Sequence, residues 1–345
     1  MAILVQDSSL RDGNHSVGHK ISLESIERYC AFAERVGIQY VEVGHGNGLG
    51  GSSLLIGQAA HSDTDMLCAA RKVLHESKLA VHIMPGLATC ERDVSSAINC
   101  GVDVFRVASH CTEATVTKSH IEYLKERGKE VHGVLMMSAL ADTITLAENA
   151  KLLEEYGATA IIIMDSTGSF LPNDVIELIS TLCAEVTVDI GFHAHNNLGC
   201  AVANSLAAVQ AGAKIIDACI RGFGAGAGNT PLELIVPVLE RSDFVTGIDL
   251  VEVLKVAEEV VTYLVPKTPQ IEPLNVLTGL HRIFSGFERP IRAAAKLYNV
   301  SGADVIIELS QRKVVAGQED LILEAARIVA TRPDIKGSAR EKENV

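Results

Sequence analysis

A helix, a glycine and a short apolar strand recur along this chain. The repeated segments are "FAERVGIQYVEVG", "AINCGVDVFRVAS", "YLKERGKEVHGVLMM", "LLEEYGATAIIIMD" and "AVQAGAKIIDACI". Their helical parts space apolar residues three and four positions apart, so that one face can cover a sheet, as with Ile26, Tyr29, Cys30, Ala33 and Val36. Each glycine stands where the C-terminal cap of a helix needs a left-handed backbone. The repeat therefore predicts alternating helices and strands.

The predicted strands are mostly apolar along their whole length. Their cores are residues 3–5, 40–43, 80–84, 104–107, 131–135, 160–164, 188–192 and 215–220. Continuous apolar strands are typical of a parallel sheet that helices cover on its faces. Eight such strands predict an α/β fold, a (β/α)8 TIM barrel over residues 1–248, with a doubly wound open sheet as the alternative.

The alternation of strands and helices stops at Asp249. The segment "LVEVLKVAEEVVTYLV" begins a mainly helical region, and the proline-rich "VPKTPQIEP" follows it. We therefore predict a helical C-terminal domain over residues 249–345, which would act as a lid or dock a partner. The alternative is that an amphipathic helix such as residues 251–264 only packs against the rest of the protein.

The net charge argues against two classes of partner, and the cysteine pattern indicates the redox compartment of the protein. The formal net charge of −13 repels the phosphates of nucleic acids and anionic membrane surfaces. The eight cysteines form no Cys-x-x-Cys pair, which favours free thiols in a reducing compartment over a disulfide framework. No apolar run approaches the roughly 18 residues of a membrane span. We expect a soluble cytoplasmic protein that binds neither nucleic acid nor membranes.

Polar side chains follow the C-terminal ends of the predicted strands. The segments concerned are residues 7–12, 42–45, 109–110, 137–138, 165–166, 193–195 and 221–229. In a barrel these ends share one rim, and the loops there build the active site. Residues far apart in the sequence are therefore expected to meet around one cavity.

The segment "GFHAHNNLG" places His193 and His195 two positions apart at the end of a strand. Side chains with this spacing share one face of a strand, so both imidazoles can point at one ion. With Asp12 as a carboxylate ligand, the set leaves coordination positions open and suits Mn²⁺, with Mg²⁺, Co²⁺ or Fe²⁺ as alternatives. A single histidine at such a place would more often be a core residue or a helix cap.

Arg11 and His15 flank the predicted ligand Asp12. The guanidinium group of Arg11 can hold a carboxylate or stabilise a developing oxyanion, although it could also simply pair with an acid on the rim. We expect Arg11→Ala to slow turnover heavily while leaving folding nearly intact. His15 is a candidate acid–base group near neutral pH.

The glycine-rich segment "RGFGAGAGNTPLE" does not match the dinucleotide-binding pattern G-x-G-x-x-G, because Ala227 stands where the third glycine belongs. No nicotinamide cofactor is therefore expected on this chain. The glycines would let the backbone approach the cavity and bring Asn229 close to the metal. The alternative is a flexible surface loop.

The segments "SSLRDGNH", "HAHNNLG" and "GAGAGNTPLE" resemble the DRE-TIM metallolyase superfamily. Within it, "RVASHCTEA", "GVLMMS", "LLEEYGATAIIIMDSTG" and "VIIELSQRKVVAGQEDLI" are similar to the 4-hydroxy-2-oxovalerate aldolases, which are pyruvate-specific class II aldolases. The resemblance implies that a 4-hydroxy-2-oxoacid is cleaved reversibly to pyruvate and an aldehyde. It implies His15 as the catalytic base. We expect Arg11, Ser166 and His193 to contact the 2-oxoacid substrate.

The resemblance also implies an acylating aldehyde dehydrogenase that receives the aldehyde, and hence a hetero-oligomeric partner. For the assembly of this chain we expect a homodimer or a hetero-oligomer. Two residues depart from the aldolase pattern. Asn196 stands where these aldolases commonly have a histidine, and His281 is the nearest match to their C-terminal tyrosine.

Two other functions remain open at this stage. An acyl-CoA-dependent 2-oxoacid carboxylate synthase would chelate its substrate in the same way, and "HNN" favours it, whereas the C-terminal segments and the neutral "GAGAGN" count against it. A non-catalytic barrel that serves as a scaffold or regulator would bind no metal.

Overall fold

Eight parallel strands close into a barrel in a computed structural model of the protein, which describes residues 1–54, 56–312 and 314–332. Each strand pairs with the next one along the chain, and the last returns to the first, where Leu4 pairs with Ile215. The strands are β1 (Leu4–Leu10), β2 (Tyr40–Val43), β3 (Lys78–Ile83), β4 (Val104–His110), β5 (Glu130–Met136), β6 (Ala160–Asp165), β7 (Asp189–Ala194) and β8 (Ile215–Ala218). The predicted TIM barrel is confirmed.

Helices cover the outside of the barrel and continue beyond its last strand. They are α1 (Gly13–Ser16), α2 (Leu23–Val36), α3 (Asp63–Arg71), α4 (Ser95–Asn99), α5 (Lys118–Lys125), α6 (Thr143–Tyr156), α7 (Pro172–Glu185), α8 (Ala201–Gln210), α9 (Leu232–Arg241), α10 (Leu250–Glu259), α11 (Pro273–Leu280), α12 (Glu288–Tyr298), α13 (Gly302–Ser310) and α14 (Asp320–Thr331). Among the described residues, none of the helices has the length and apolar character needed to cross a membrane.

The ends of the repeated helices follow from their sequence. Ser22 caps the N-terminus of α2, since its hydroxyl accepts a hydrogen bond from the backbone amide of Ser25. Gly37 and Gly157 end α2 and α6 with φ angles of 82° and 115°, a left-handed conformation that glycine adopts without strain. The predicted order of helix, glycine and strand therefore holds in these repeats.

β1 is longer than predicted from its apolar core at residues 3–5. It runs through four buried polar residues, because those side chains find partners inside the protein. The carboxylate of Asp7, for example, accepts hydrogen bonds from the backbone of Ser9 at 2.7 Å and from the hydroxyl of Tyr29 at 2.5 Å. Strand patterns that count only apolar residues miss such a segment.

The helices after β8 contribute to two different hydrophobic cores. Val253 and Val256 of α10 belong to the core that the barrel shares with its outer helices. A second core contains Phe287, Ile291 and Leu309, and α12, α13 and α14 supply most of it. Of the predicted C-terminal domain at 249–345, residue 313 and residues 333–345 lie outside the described residues.

Candidate metal centre

The side chains of Asp12, His193 and His195 meet at the C-terminal mouth of the barrel, and we call these three residues the metal centre. One ligand atom from each lies within 4.8 Å of the others, and all three residues are buried. Oδ2 of Asp12 is 3.7 Å from Nε2 of His193 and 3.8 Å from Nε2 of His195. One carboxylate and two imidazoles at these distances suit a divalent ion with further coordination positions open.

Two separate elements bring these ligands together. Asp12 lies in the tight turn after β1, where its amide donates to the carbonyl of Ser8 at 2.8 Å. His193 lies within β7 and His195 directly follows it, so the alternation of side chains along a strand puts both rings on the inward face. Their ring centroids are 5.2 Å apart.

Asp217 of β8 orients the first histidine of the metal centre. Nδ1 of His193 lies 2.8 Å from Oδ2 of Asp217, and both side chains are almost fully buried. This contact keeps the hydrogen on Nδ1 and leaves the lone pair of Nε2 facing Asp12. Asp217 was not among the predicted site residues, and its only indication was an acidic residue inside the apolar segment "KIIDACI".

Asn229 bridges two members of the metal centre. Its Nδ2 donates to Oδ2 of Asp12 at 2.5 Å and lies 3.0 Å from Nε2 of His193. Its Oδ1 is buried without a hydrogen-bond partner. Nδ2 therefore faces the ligand atoms, whereas Oδ1 lies against Gly224. The amide group must rotate before its oxygen can join the mixed donor set that Mn²⁺ and similar ions prefer.

Gly224 allows the glycine-rich segment to approach the metal centre. A Cβ atom at this position would lie 1.9 Å from Oδ1 of Asn229 and 3.0 Å from Oδ2 of Asp12. Any side chain would therefore displace the amide group or the carboxylate.

Arg11 lies between two carboxylates and keeps one donor free. Its Nη1 contacts Oδ1 of Asp12 at 3.0 Å, and its Nε contacts Oε2 of Glu42 at 2.9 Å. Burial opposes the charged form, but Glu42 and Asp12 outweigh it and raise the pKa of Arg11. Nη2 is buried without a partner, so Arg11 both pairs with rim acids and retains a donor for an anionic group.

His15 lies beside the metal centre on the wall of a cavity. Its Nε2 is 4.0 Å from Oδ1 of Asp12, and its ring packs against the backbone at Gly46, where an added Cβ would lie 2.5 Å away. Burial lowers the pKa of His15 to about 4, although Asp12 acts in the opposite direction. The imidazole is therefore neutral at neutral pH and can accept a proton.

A cavity of about 480 Å³ lies between the barrel rim and the C-terminal helices, and His15 lines it. Phe284, Ser285 and Gly286, in the segment after α11, form part of its wall. His281 is the C-cap residue that follows α11, and it is not among the described residues that line this cavity.

Ser166, at the end of β6, is buried against neighbouring loops. Its Oγ accepts a hydrogen bond from the amide of Met137 at 3.0 Å, which leaves the hydroxyl hydrogen to act as a donor.

A chain of buried ion pairs continues below the metal centre inside the barrel. Nη2 of Arg106 contacts Oδ2 of Asp217 at 2.6 Å, and its Nη1 contacts Oε2 of Glu42 at 3.1 Å. Arg106 was also absent from the predicted site residues, because it lies in the middle of a strand rather than at the rim.

The chain matches two family models, HMGL-like over residues 2–260 and DmpG-like communication domain over residues 269–331. It is 52% identical over 330 residues to the 4-hydroxy-2-oxovalerate aldolase of Pectobacterium atrosepticum, covering 96% of each chain. It is 51% identical over 331 residues to the 4-hydroxy-2-oxovalerate aldolase of Spirochaeta aurantia, covering 96% of this chain and 97% of the other.

The carboxyl transferase domain of Rhizobium etli pyruvate carboxylase is a solved structure with a similar fold. The TM-score is 0.81 at 18% identity, and the match covers 95% of this chain and 60% of the solved chain. At this level of identity the likeness bears on the fold alone.

Proposed function

Because this chain belongs to the HMGL-like family, within the DRE-TIM metallolyases, we infer that it is a divalent-metal-dependent aldolase. It cleaves a 4-hydroxy-2-oxoacid such as 4-hydroxy-2-oxovalerate reversibly to pyruvate and an aldehyde. The observation on which the mechanism depends is the meeting of Asp12, His193 and His195 beside a guanidinium group with a free donor.

We propose that Asp12, His193 and His195 hold the ion. Asn229 adds an oxygen donor once its amide group has rotated so that Oδ1 replaces Nδ2 beside Asp12. A bound divalent ion supplies Lewis-acid activation of the 2-keto group. Mn²⁺ is our choice for the physiological ion, with Mg²⁺ or Co²⁺ as alternatives, because the donors are mixed nitrogen and oxygen.

Arg11 and His15 act at two different oxygen atoms of the substrate, the C2 keto oxygen and the C4 hydroxyl. His15 takes the proton of the C4 hydroxyl, directly or through a water molecule, while C4 becomes the aldehyde carbonyl. The electron pair of the C3–C4 bond forms the C2–C3 double bond of an enolate, and Nη2 of Arg11 offers its unused hydrogen bonds to the negative charge that grows on the C2 oxygen. A proton added to C3 from water then gives pyruvate, and His15 releases to water the proton that it took. Ser166 and His193 complete the proposed substrate contacts.

The charges buried at the site match a monoanionic substrate. Burial disfavours ionised carboxylates, but the guanidinium groups of Arg11 and Arg106 keep the pKa values of Asp12, Glu42 and Asp217 below their usual range. Among the arginines and carboxylates named here, two positive and three negative charges leave one negative charge. A divalent ion reverses its sign, which favours binding of a 2-oxoacid carboxylate.

The test is cleavage of 4-hydroxy-2-oxovalerate by the purified protein with Mn²⁺, with pyruvate measured through a lactate dehydrogenase assay. We expect chelation to abolish cleavage, Mn²⁺ to restore it, and Asp12→Asn to remove both metal binding and activity. The control is Asp103→Asn, since Asp103 pairs with Arg71 outside the barrel at 2.8 Å. Undiminished cleavage by metal-free protein would refute the proposal.

The "HNN" segment that favoured an acyl-CoA-dependent synthase has a structural explanation. Oδ1 of Asn196 accepts from the amide of Ala201 at 3.2 Å at the start of α8, and the amide of Asn196 donates to the carbonyl of Gly228 at 2.8 Å. Asn196 thus supports the local backbone. Release of free CoA from acetyl-CoA and pyruvate would favour the synthase instead.

We propose that the segment from α11 onward docks an acylating aldehyde dehydrogenase to form a hetero-oligomer, with a homodimer of this chain as the alternative. The match to the DmpG-like communication domain over residues 269–331 and the separate core of these helices support this role. Leu280 and Leu297 are 66% and 71% exposed there and would be covered by a partner. Co-purification of the untagged proteins tests the assembly.

The eight cysteines are free thiols, which supports a cytoplasmic location.

A further inference from the structure

We propose that Arg106 is a positioning residue for the metal centre, because it holds Asp217 and Glu42 at the same time. Through these two carboxylates it fixes the orientation of His193 on one side and of Arg11 on the other. The inference rests on the proposed function, since it requires that a divalent ion binds at the metal centre.

The guanidinium group of Arg106 is enclosed in the barrel interior. Its side chain is 0% exposed, and its Nη2 and Nη1 contact Asp217 and Glu42 at 2.6 and 3.1 Å. The amide of Gln6, oriented with its oxygen toward the guanidinium group, accepts from Nη1 at 2.6 Å and from Nε at 3.2 Å. Arg106 is enclosed below the rim, so its effect on the reaction must pass through its neighbours.

On one side, Arg106 restrains the carboxylate that orients His193. Oδ2 of Asp217 contacts both Nη2 of Arg106 and Nδ1 of His193, at 2.6 and 2.8 Å. Oδ1 of Asp217 has no hydrogen-bond partner. Without Arg106, the contact with His193 would be the only polar contact left to this carboxylate among the described residues. Loss of such a partner of a metal ligand typically costs about 10-fold to 100-fold in metal affinity.

On the other side, a single oxygen atom joins the two arginines. Oε2 of Glu42 lies 3.1 Å from Nη1 of Arg106 and 2.9 Å from Nε of Arg11. Nη1 of Arg11 then contacts Oδ1 of Asp12 at 3.0 Å. Buried contacts therefore run continuously from one metal ligand to another, through His193, Asp217, Arg106, Glu42, Arg11 and Asp12.

The planar guanidinium group is required because it reaches two carboxylates with different nitrogen atoms. A lysine would keep the positive charge but present a single point of contact. Arg106→Lys therefore retains the charge that buried Asp217 and Glu42 need and removes the simultaneous hold on both.

The test is the dissociation constant for Mn²⁺ of Arg106→Lys, measured from the free-ion paramagnetic resonance signal at a temperature where circular dichroism shows native protein. We expect binding about 10-fold to 100-fold weaker than in the wild type, and a changed d–d spectrum of the Co²⁺-loaded protein. Arg71→Lys is the matched control, since Arg71 pairs with Asp103 at 2.8 Å outside the barrel. Wild-type Mn²⁺ affinity in Arg106→Lys would overturn the proposal.

Asp217→Asn keeps the test decisive if Arg106→Lys does not fold, because it changes charge and tautomer preference with almost no change in volume. We expect the same direction of loss in Mn²⁺ affinity, and a folded Asp217→Asn with wild-type affinity would overturn the inference. If the wild type itself binds no Mn²⁺, the proposed function fails as well. If the wild type binds Mn²⁺ and both variants bind it equally well, only the role of Arg106 fails.

Discussion

The hydroxyl of Ser285 donates a hydrogen bond to Oδ1 of Asn197 at 2.9 Å, and both side chains are buried. Nδ2 of Asn197 donates in turn to Oγ1 of Thr278 at 2.9 Å. Asn197 follows the metal-centre residue His195 by two positions, whereas Ser285 and Thr278 belong to the C-terminal helical segment. One side chain thus connects the metal-binding loop with the helices proposed to dock a partner.

Asn197→Ala is expected to loosen that connection. It leaves the buried hydroxyl of Ser285 without its acceptor, which costs about 1–3 kcal/mol. The hydroxyl of Thr278 loses the bond from Asn197 but still donates to the carbonyl of Asn275 at 2.8 Å. Hydrogen exchange in α11 should therefore be faster than in the wild type. Asn204→Ala is the control, since Asn204 is also buried but donates to the carbonyl of Phe170 at 2.7 Å. Equal exchange in α11 for both variants would contradict the prediction.

Arg11→Ala is expected to reduce the turnover number about 100-fold to 1000-fold, because it removes a donor to the developing negative charge. The structure changes our expectation that folding would be spared. Arg11 is buried between Asp12 and Glu42, and removing one partner of a buried ion pair costs about 3–5 kcal/mol. Urea denaturation should show this loss.

The control for Arg11→Ala is Arg35→Ala, since Arg35 is exposed and lies 3.7 Å from Glu252. An exposed pair of this kind contributes at most about 1 kcal/mol. If Arg11→Ala unfolds at the same urea concentration as the wild type, the buried network contributes less to stability than its geometry indicates.

Gly224→Ala is expected to weaken Mn²⁺ binding, because the added Cβ would collide with the amide of Asn229 and approach Asp12. Calorimetric titration with Mn²⁺ measures the effect. Gly302→Ala is a suitable control, since the nearest atom to an added Cβ there is a flexible side-chain atom of Leu274 at 3.1 Å. Unchanged Mn²⁺ affinity in Gly224→Ala would show that the backbone at residue 224 can move away from Asn229 and Asp12 without a change in the metal centre.

Asp7→Asn is expected to change the pH dependence of stability. Burial raises the pKa of Asp7 to about 6, against hydrogen bonds from Ser9 and Tyr29 that lower it. The native state therefore binds a proton more tightly than the unfolded state. The resulting stabilisation is complete below about pH 4 and is lost as the pH rises through about 6.

Replacing Asp7 with a neutral amide removes the loss of stability that accompanies ionisation of Asp7 as the pH rises. Thermal unfolding should depend less on pH between 4 and 7, and Asp7→Asn should be more stable than the wild type at pH 7.5 by up to about 3 kcal/mol. The amide can accept from the backbone of Ser9 and donate to Tyr29. Asp65→Asn, at an exposed position, should follow the wild-type profile. An Asp7→Asn variant with the wild-type profile would contradict the raised pKa.

Local patterns were sufficient to predict the barrel. Apolar spacing and capping glycines such as Gly37 depend only on nearby residues, and parallel apolar strands have few stable arrangements. The spacing of His193 and His195 after a strand also predicted that their side chains share one face. Because the C-terminal ends of barrel strands share one rim, Asp12 was expected at the same place, although no contact was known.

The roles of Arg106 and Asp217 could not be predicted from such local patterns. Both lie inside strands, where a polar residue has no local partner, and neither position could be assigned a role from its neighbours in the chain. Asn229 and Ser166 were predicted near the site, but their partners, Asp12 and Met137, lie in other loops.

The amino-acid sequence alone determined the alternation of elements, the closed barrel as the preferred arrangement, the family and the residue types at the rim, because each depends on short-range periodicity or motif. The tertiary structure decided which buried charges pair with one another. Closure of the barrel brings Glu42 of β2 and Asp217 of β8 within reach of the guanidinium group of Arg106 on β4. The distances among these three side chains are set only by the placement of their strands in the closed barrel.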